Sequence, residues 1–315
     1  MTTVFLKDDD DPIDIRYDSI FKAVFTRDIP ASRGALSRLV SAFIERNVSI
    51  VTITANELPV DSVMDRRIRY DINCKTENGE LVNVEMSLNP APFEPIRLEY
   101  YTGRLFSSQG IKGTIYDYND LKQAYQITVL ANGMFFPDDD FFHTFEYYDS
   151  VNRVTLNGRS RIITLELSKL DKVVEKPTEV MNSKEYWGVF FRYLTDKSKR
   201  RKINEILVHE EGIAMASEVL MNVSKDWEER CRLESELKYE LDMQSLRSYA
   251  RKEGLREGRE EGREEGLKEG RQEGRREGRQ EGRQEGRQEG RQEIIALLRS
   301  GKSLEEILSE TESRE

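Results

Sequence analysis

The chain has 315 residues, of which 37% are hydrophobic, so it can fill a core of ordinary size. It contains no run of 18 apolar residues, and its acidic N-terminus does not resemble a secretory signal. We therefore expect a cytoplasmic protein with no membrane partner. The net charge of -10 argues against unspecific affinity for polyanions.

Two distant cysteines, Cys74 and Cys231, and two histidines exclude a disulfide framework and a histidine-rich metal cage. Any metal is then expected to be a hard cation held by carboxylates.

Apolar residues at helical spacing predict one or two helices over residues 18–46, and β-branched residues predict a strand over 48–55. Residues 67–75 and 81–87 alternate between apolar and polar side chains, as half-buried strands do. Because only the turn-forming text TENGE separates these two runs, the sequence predicts a β-hairpin.

The register of this hairpin determines whether its two acidic residues share a face. A two-residue turn at Asn78 and Gly79 would place Asp71 and Glu85 on opposite faces of the sheet. A three-residue loop that includes Glu77, closed by Gly79 in the left-handed conformation, sets Asp71 opposite Glu85 with Cβ atoms about 5 Å apart. Only the second register gathers both polar faces on one side, so we predict it.

Two carboxylates this close repel each other unless a cation lies between them, and paired oxygen ligands completed by water suit Mg²⁺. Such an ion can lower the pKa of a bound water and stabilise charge on a phosphate. The pattern alone leaves another interpretation open, in which Asp71 and Glu85 line an ordinary solvated sheet face.

The downstream sequence returns to helical spacing over 96–110. A buried strand over 124–131, weaker strands over 141–148 and 161–167, and wholly helical text over 183–250 follow. This order is typical of an α/β or α+β domain with a mixed sheet. The aromatic residues Tyr100, Tyr101 and Phe106 could stack bases, although core packing is the simpler interpretation, and His143 is expected to be structural.

A glycine falls at every fourth position from Gly254 to Gly290, so this tract holds ten of the chain's 20 glycines. In a helix, the glycine stripe would wind around the surface, and ten glycines would cost about 10 kcal/mol relative to alanine. The tract 251–293 contains 13 Lys or Arg and 13 Glu, so it is not a basic arm for DNA. We predict a marginal helix that becomes ordered by self-association, in the manner of a coiled coil; a passive spacer is the alternative.

Several segments together resemble the recombination-promoting nuclease and transposase family of the PD-(D/E)XK nuclease superfamily. They are DSIFKAVF, RYDINCKTENGELVNVEMS, the text from RLEYYTGRLF to ITVL, ITLELSKL, WGVFFRYL and the Glu-Gly-Arg tail. The resemblance implies a restriction-endonuclease-like α/β fold, with a mixed sheet flanked by helices, a C-terminal helical segment and a glycine-repeat tail.

Carried over to this sequence, the resemblance implies that Asp71 and Glu85 bind Mg²⁺ or Mn²⁺, with Asp18 as a third acidic contact. An N-cap role for Asp18 is the alternative. The position of the superfamily's lysine is Ser87 here, and a serine places no positive charge beside a phosphate. Arg97 or Arg104 could supply that charge, and Gln109 could orient a water. Alternatively, Arg97 pairs with Glu94 or Asp71 for stability.

These observations predict five segments: an acidic tail (1–14), a nuclease-like domain (15–180), a helical segment (181–250), the tetrapeptide repeat (251–293) and a short helical hairpin (294–315). The expected function is Mg²⁺-dependent hydrolysis of DNA by an endonuclease, with promotion of recombination implied by the family alone. The alternatives are a catalytically impaired nuclease fold that binds DNA or protein, and a scaffold assembled through the tail.

Overall fold

The computed structural model describes residues 5–54, 71–110, 117–156 and 158–301, together with 303 and 305. Within these residues the α-helices are α1 Asp18–Phe25, α2 Pro30–Ile44, α3 Glu94–Ser107, α4 Ser183–Tyr193, α5 Arg200–His209, α6 Glu211–Lys225 and α7 Trp227–Arg299. The strands are β1 Ile50–Ile53, β2 Ile72–Thr76, β3 Leu81–Ser87, β4 Ala124–Leu130, β5 Phe142–Phe145, β6 Tyr148–Asp149, β7 Val154–Thr155 and β8 Ser160–Glu166. No helix in the described ranges is long and apolar enough to cross a membrane.

Six strands form one sheet in the order β1-β2-β3-β4-β8-β5, and β6 pairs with β7 in a separate two-stranded ladder. The central strands β3, β4 and β8 run parallel, whereas β2 and β5 pair antiparallel to their neighbours. Such mixed sheets need long crossover connections, and α3 supplies the one between β3 and β4. The predicted mixed sheet flanked by helices is confirmed.

The hairpin of β2 and β3 has the predicted register, because Ile72 pairs with Val84 and Cys74 pairs with Val82. Its loop holds three residues and ends at Gly79, whose φ is 78° and whose N–H donates to the carbonyl of Thr76 at 2.9 Å. Glycine adopts this left-handed conformation without the steric cost of a Cβ. The first residues of the predicted strand, 67–70, lie outside the described residues.

The two faces of the sheet are covered by different elements. One face carries apolar residues that join a large core with α1, α2 and α4 to α6: Ile72, Cys74, Val82, Val84, Ile127, Val129, Ile163 and Leu165. The opposite face carries polar residues of β3 and β4 and packs against α3. The hairpin carboxylates therefore lie in the layer between the sheet and α3.

The helical text after residue 183 shares its core with the N-terminal half of the chain, since α6 packs on α1 and α2. The N-terminal segment joins it as well: the N–H of Leu6 donates to Asn204 Oδ1 at 2.9 Å, and that of Ile13 donates to Ser224 Oγ at 3.1 Å. The domain boundaries drawn from composition stay a prediction.

The chain divides into two compact units, residues 1–239 and 240–315. The described residues of the second unit are almost all helical, and those of its glycine tract are almost all exposed. Gly301 follows the end of α7 with a φ of 91°, the left-handed conformation with which helices commonly end. The second helix of the predicted terminal hairpin falls largely outside the described residues.

Replacing Gly79 by alanine is expected to destabilise the protein by about 1–2 kcal/mol, because a Cβ is disfavoured at a positive φ. The free energy of unfolding by urea measures this loss. The matched control is Gly103→Ala in α3, where an added Cβ meets no atom within 4 Å and the gain in helix propensity is up to about 1 kcal/mol. Equal losses in both variants would contradict the turn assignment.

Candidate active site

Glu85 lies in the middle of β3 and is only 3% exposed, because α3 covers the polar face of the sheet. The interpretation of a solvated sheet face is therefore wrong for this residue. Its Oε1 accepts a hydrogen bond from Asn83 Nδ2 at 3.0 Å, and its Oε2 lies 3.5 Å from a guanidinium nitrogen of Arg97. Burial raises the pKa of Glu85 to about 7, against the opposing influence of Arg97 and Asn83.

A chain of buried hydrogen bonds holds Glu85 from the side of the neighbouring strand. The second hydrogen of Asn83 Nδ2 goes to Gln126 Oε1 at 2.8 Å, and Gln126 Nε2 donates to Thr128 Oγ1 at 3.1 Å. The parallel pairing of β3 with β4 sets Asn83 beside Gln126 and Glu85 beside Thr128. The orientation of the carboxylate is thus fixed across two strands.

Asp71 directly precedes β2, and the hairpin register extended by one residue sets it opposite Glu85. Its Oδ2 accepts a hydrogen bond from the backbone N–H of Met86 at 3.0 Å, and its Oδ1 lies 3.4 Å from Lys22 Nζ. Burial and the negative charges of Asp18 and Glu85 raise the pKa of Asp71 well above its usual value. The structure therefore brings the two predicted carboxylates into one electrostatic unit.

Asp18 is the first residue of α1 and does not cap it. The N-cap residue is Tyr17, and no side chain makes a capping hydrogen bond there. The N-cap interpretation of Asp18 is therefore wrong. Its Oδ2 accepts a hydrogen bond from Lys22 Nζ at 2.8 Å. Its Oδ1 is buried and accepts no hydrogen bond from the described residues, so one acidic oxygen near Asp71 has no donor.

Arg97 on α3 pairs with Glu94, one turn earlier on the same helix, and with Glu85 on the sheet. Its guanidinium also lies 5.4 Å from the centre of the Tyr101 ring. Burial acts against the charge of Arg97, but Glu85 and Glu94 outweigh it and raise the pKa of Arg97. The pairing of Arg97 with Glu94 that was considered from the sequence is present. Its second partner is Glu85 and not Asp71.

Ser87 ends β3, two residues after Glu85 and on the same face of the strand. Gln109 Nε2 donates a hydrogen bond to the carbonyl of Lys122 at 2.9 Å, and Gln109 Oε1 accepts one from the N–H of Lys122 at 2.7 Å. The interpretation of Gln109 as a group that orients a water therefore has no support.

Core packing agrees with the positions of Tyr101 and Phe106 but not with that of Tyr100. Tyr101 and Phe106 pack on a small apolar cluster, whereas Tyr100 is exposed. His143 pairs with Asp138 and stacks on Phe145.

The donor set of this site suits a hard divalent cation, because Asp71 and Glu85 bring carboxylate oxygens together on one face of the hairpin. In the described part of the chain, no three His, Cys, Asp or Glu side chains converge closely enough to enclose an ion. Two carboxylates completed by water are an ordinary site for Mg²⁺, which keeps several of its waters. Asp71 and Glu85 would hold the ion.

A separate cavity of about 250 Å³ lies beside α3 near β5 and β8. It is lined mainly by apolar groups, among them Leu98, Phe136 and Ile162, and neither Asp71 nor Glu85 reaches it. This cavity is distinct from the carboxylate site.

A family model described as PD-(D/E)XK nuclease family transposase matches residues 15–250. The chain belongs to this family. No curated protein and no solved structure gives a match. The matched residues include Asp18, Asp71, Glu85 and Arg97, and the membership supports a nuclease-type function. Nucleases of the PD-(D/E)XK type generally use divalent metals, in agreement with the donors found here.

Lys22 and the hydrogen-bonded amides of Asn83 and Gln126 were not among the site residues predicted from the sequence. Gln126 left a signal, because it is a lone amide in the apolar strand AYQITVL. For Lys22 the only sequence signal is its position four residues after Asp18. This spacing predicts an ion pair on α1 but does not predict that Lys22 approaches the hairpin.

The raised pKa of Glu85 predicts a pH-dependent stability difference for Glu85→Gln in EDTA. A carboxyl whose pKa rises from 4.5 to about 7 on folding stabilises the protein below pH 4.5 and loses this contribution as the pH rises through 7. Glutamine mimics the protonated form of Glu85. At pH 8 the free energy of unfolding of the variant should therefore exceed that of the parent by on the order of 3 kcal/mol. Most of this difference should vanish at pH 5. Urea unfolding at both pH values measures it.

Glu205→Gln is the control of opposite sign. A hydrogen bond from Thr178 lowers the pKa of Glu205, so its charge stabilises the protein above pH 4.5. This variant should be slightly less stable than the parent at pH 8. A Glu85→Gln variant that is less stable than the parent at pH 8 would refute the assigned pKa direction.

Proposed function

We propose that the protein is a divalent-metal-dependent endonuclease that hydrolyses phosphodiester bonds in DNA and thereby promotes recombination. The observation that carries the proposal is the pairing of half-buried Asp71 with buried Glu85 on one face of the hairpin, in a chain of this nuclease family. Burial raises the pKa of both carboxyls, and such costly acids cluster at functional sites. A divalent cation would offset their repulsion.

When bound, Mg²⁺ or Mn²⁺ would activate water for attack and stabilise charge on the phosphate. The residues of the chain prepare the site for it. The Met86 N–H and Lys22 orient Asp71, while Asn83 and Arg97 orient Glu85. Because these donors lie on the sheet, α1 and α3, both carboxylates are held by rigid elements and not by loops.

The test is nicking of supercoiled plasmid by the purified protein in Mg²⁺, Mn²⁺ or EDTA. Cleavage should depend on metal and should fall to the EDTA level in Asp71→Asn and Glu85→Gln, because each loses an anionic ligand. The matched control is Glu99→Gln, an exposed acid on α3 outside the site, which should cleave like the parent. Cleavage unchanged in the two site variants would refute the assignment.

A second candidate function is DNA binding without cleavage, which the uncharged Ser87 favours. It predicts that labelled DNA is bound with equal affinity by the parent and by Asp71→Asn, while neither protein nicks plasmid in any metal. Fluorescence anisotropy alongside the nicking assay distinguishes the two functions.

We also propose that the tail promotes self-association, since its helix contains ten glycines and like charges four residues apart. Such a helix is unstable alone and would gain free energy from packing. Light scattering should give a mass above the 36.7 kDa of one chain, and removal of residues 251–315 should return a monomer. A monomeric full-length chain would favour the passive spacer.

A further inference from the structure

The strand that bears Glu85 provides no positive charge for a phosphate. Ser87, two residues further on the same face, has a short neutral side chain. Any cation that assists at this site must therefore come from another element. The structure places two cations against the carboxylate pair, Arg97 from α3 and Lys22 from α1.

Arg97 is held firmly in place. It pairs with Glu94 and Glu85 at once, and its guanidinium lies over Tyr101. Glu94 is only 2% and Glu85 only 3% exposed, so both buried acids depend on Arg97, although its own side chain is 31% exposed. Moving Arg97 toward a substrate would leave a buried carboxylate without its partner, which is costly. We interpret Arg97 as a fixed clamp on Glu85.

Lys22 is held differently. Its ammonium donates to Asp18 at 2.8 Å but lies 3.4 Å from Asp71, so the contact with Asp71 is the looser one. Its side chain is 28% exposed and thus has a path to solvent. Asp18 lies four residues earlier on the same helix, so the geometry of this pair does not depend on Asp71.

The charges around the pair leave a deficit. Among the residues that the structure describes, four carboxylates face two cations: Asp18, Asp71, Glu85 and Glu94 face Lys22 and Arg97. This described set is short of two positive charges when all four acids are ionised. One divalent cation would supply them, but its charge would repel the ammonium that now lies next to Asp71.

We propose that Lys22 is a resident cation of the site, which neutralises Asp71 in the absence of metal and leaves it when a divalent cation is bound. Lys22 then stays attached to Asp18 and supplies positive charge to the scissile phosphate in place of the missing charge at Ser87. In this arrangement Asp18 is a positioning residue for Lys22 and not a metal ligand. The inference rests on the proposed function for its catalytic half only.

The first experiment measures metal binding without DNA. The melting temperature of the full chain is followed while Mn²⁺ is titrated, for the parent and for Lys22→Met. Removing a competing ammonium should lower the Mn²⁺ midpoint several-fold. Lys184→Met, which breaks an exposed ion pair with Glu45, should leave the midpoint unchanged. A midpoint that is equal or higher in Lys22→Met overturns the resident-cation proposal.

Asp18 is tested in the same assay by a double-mutant cycle. If Asp18 acts only through Lys22, Asp18→Asn should not change the Mn²⁺ midpoint in the Lys22→Met background. A midpoint several-fold higher in the double variant identifies Asp18 as a metal ligand and overturns its positioning role. Far-UV circular dichroism establishes that each variant is folded, and Lys22→Gln replaces Lys22→Met if the latter is not.

The catalytic half is tested by moving the charge. Lys22→Met should cleave plasmid about 100-fold more slowly at saturating Mn²⁺, a loss typical for removal of one group that stabilises transition-state charge. Adding Ser87→Lys to this variant should raise its cleavage rate at least tenfold, because the new ammonium extends from the same strand face as Glu85.

The outcomes separate this inference from the proposed function. A parent protein that shows no metal-dependent cleavage refutes the proposed function and the catalytic role of Lys22 together, while the Mn²⁺ midpoints still decide the resident-cation role. An active parent with an equally active Lys22→Met variant overturns the catalytic role alone.

Discussion

The burial of Glu85 imposes the strongest physical constraint on this structure. A carboxylate at 3% exposure loses most of its hydration, and this loss is tolerated only when donors and cations surround the group. Here Asn83 donates from the same strand and Arg97 approaches from α3. Arg97 in turn pairs with Glu94, so one buried acid belongs to a network that connects the sheet with α3.

The two faces of the hairpin perform separate tasks. The apolar face contributes Val82 and Val84 to a core shared with α1, α2 and the helices after residue 183. This core is large and stabilises the sheet. The polar face can therefore carry groups whose mutual repulsion works against folding. The stabilising apolar contacts lie on one side of β3, and the acidic side chain of Glu85 lies on the other.

Much of this arrangement follows from the sequence. The alternation in residues 67–75 and 81–87 predicts two amphipathic strands, and the need to place both polar faces on one side selects the three-residue loop that sets their register. With that register, Asp71 and Glu85 fall on one face without any tertiary information, because side chains alternate strictly along a strand. The helices and the central strand Ala124–Leu130 are likewise apparent from periodicity.

Tertiary packing decided what surrounds the two acids. An alternating pattern predicts a strand whose polar face is exposed to solvent. Nothing in this pattern shows that α3 covers that face and buries Glu85. Lys22 is distant in sequence from Asp71, and only the docking of α1 beside the hairpin brings its ammonium within 3.4 Å of that carboxylate. The sequence thus determined which groups share a face, because backbone geometry is local. Packing alone determined their burial, their pKa shifts and their cationic partners, because desolvation and Coulomb interactions depend on neighbours distant along the chain.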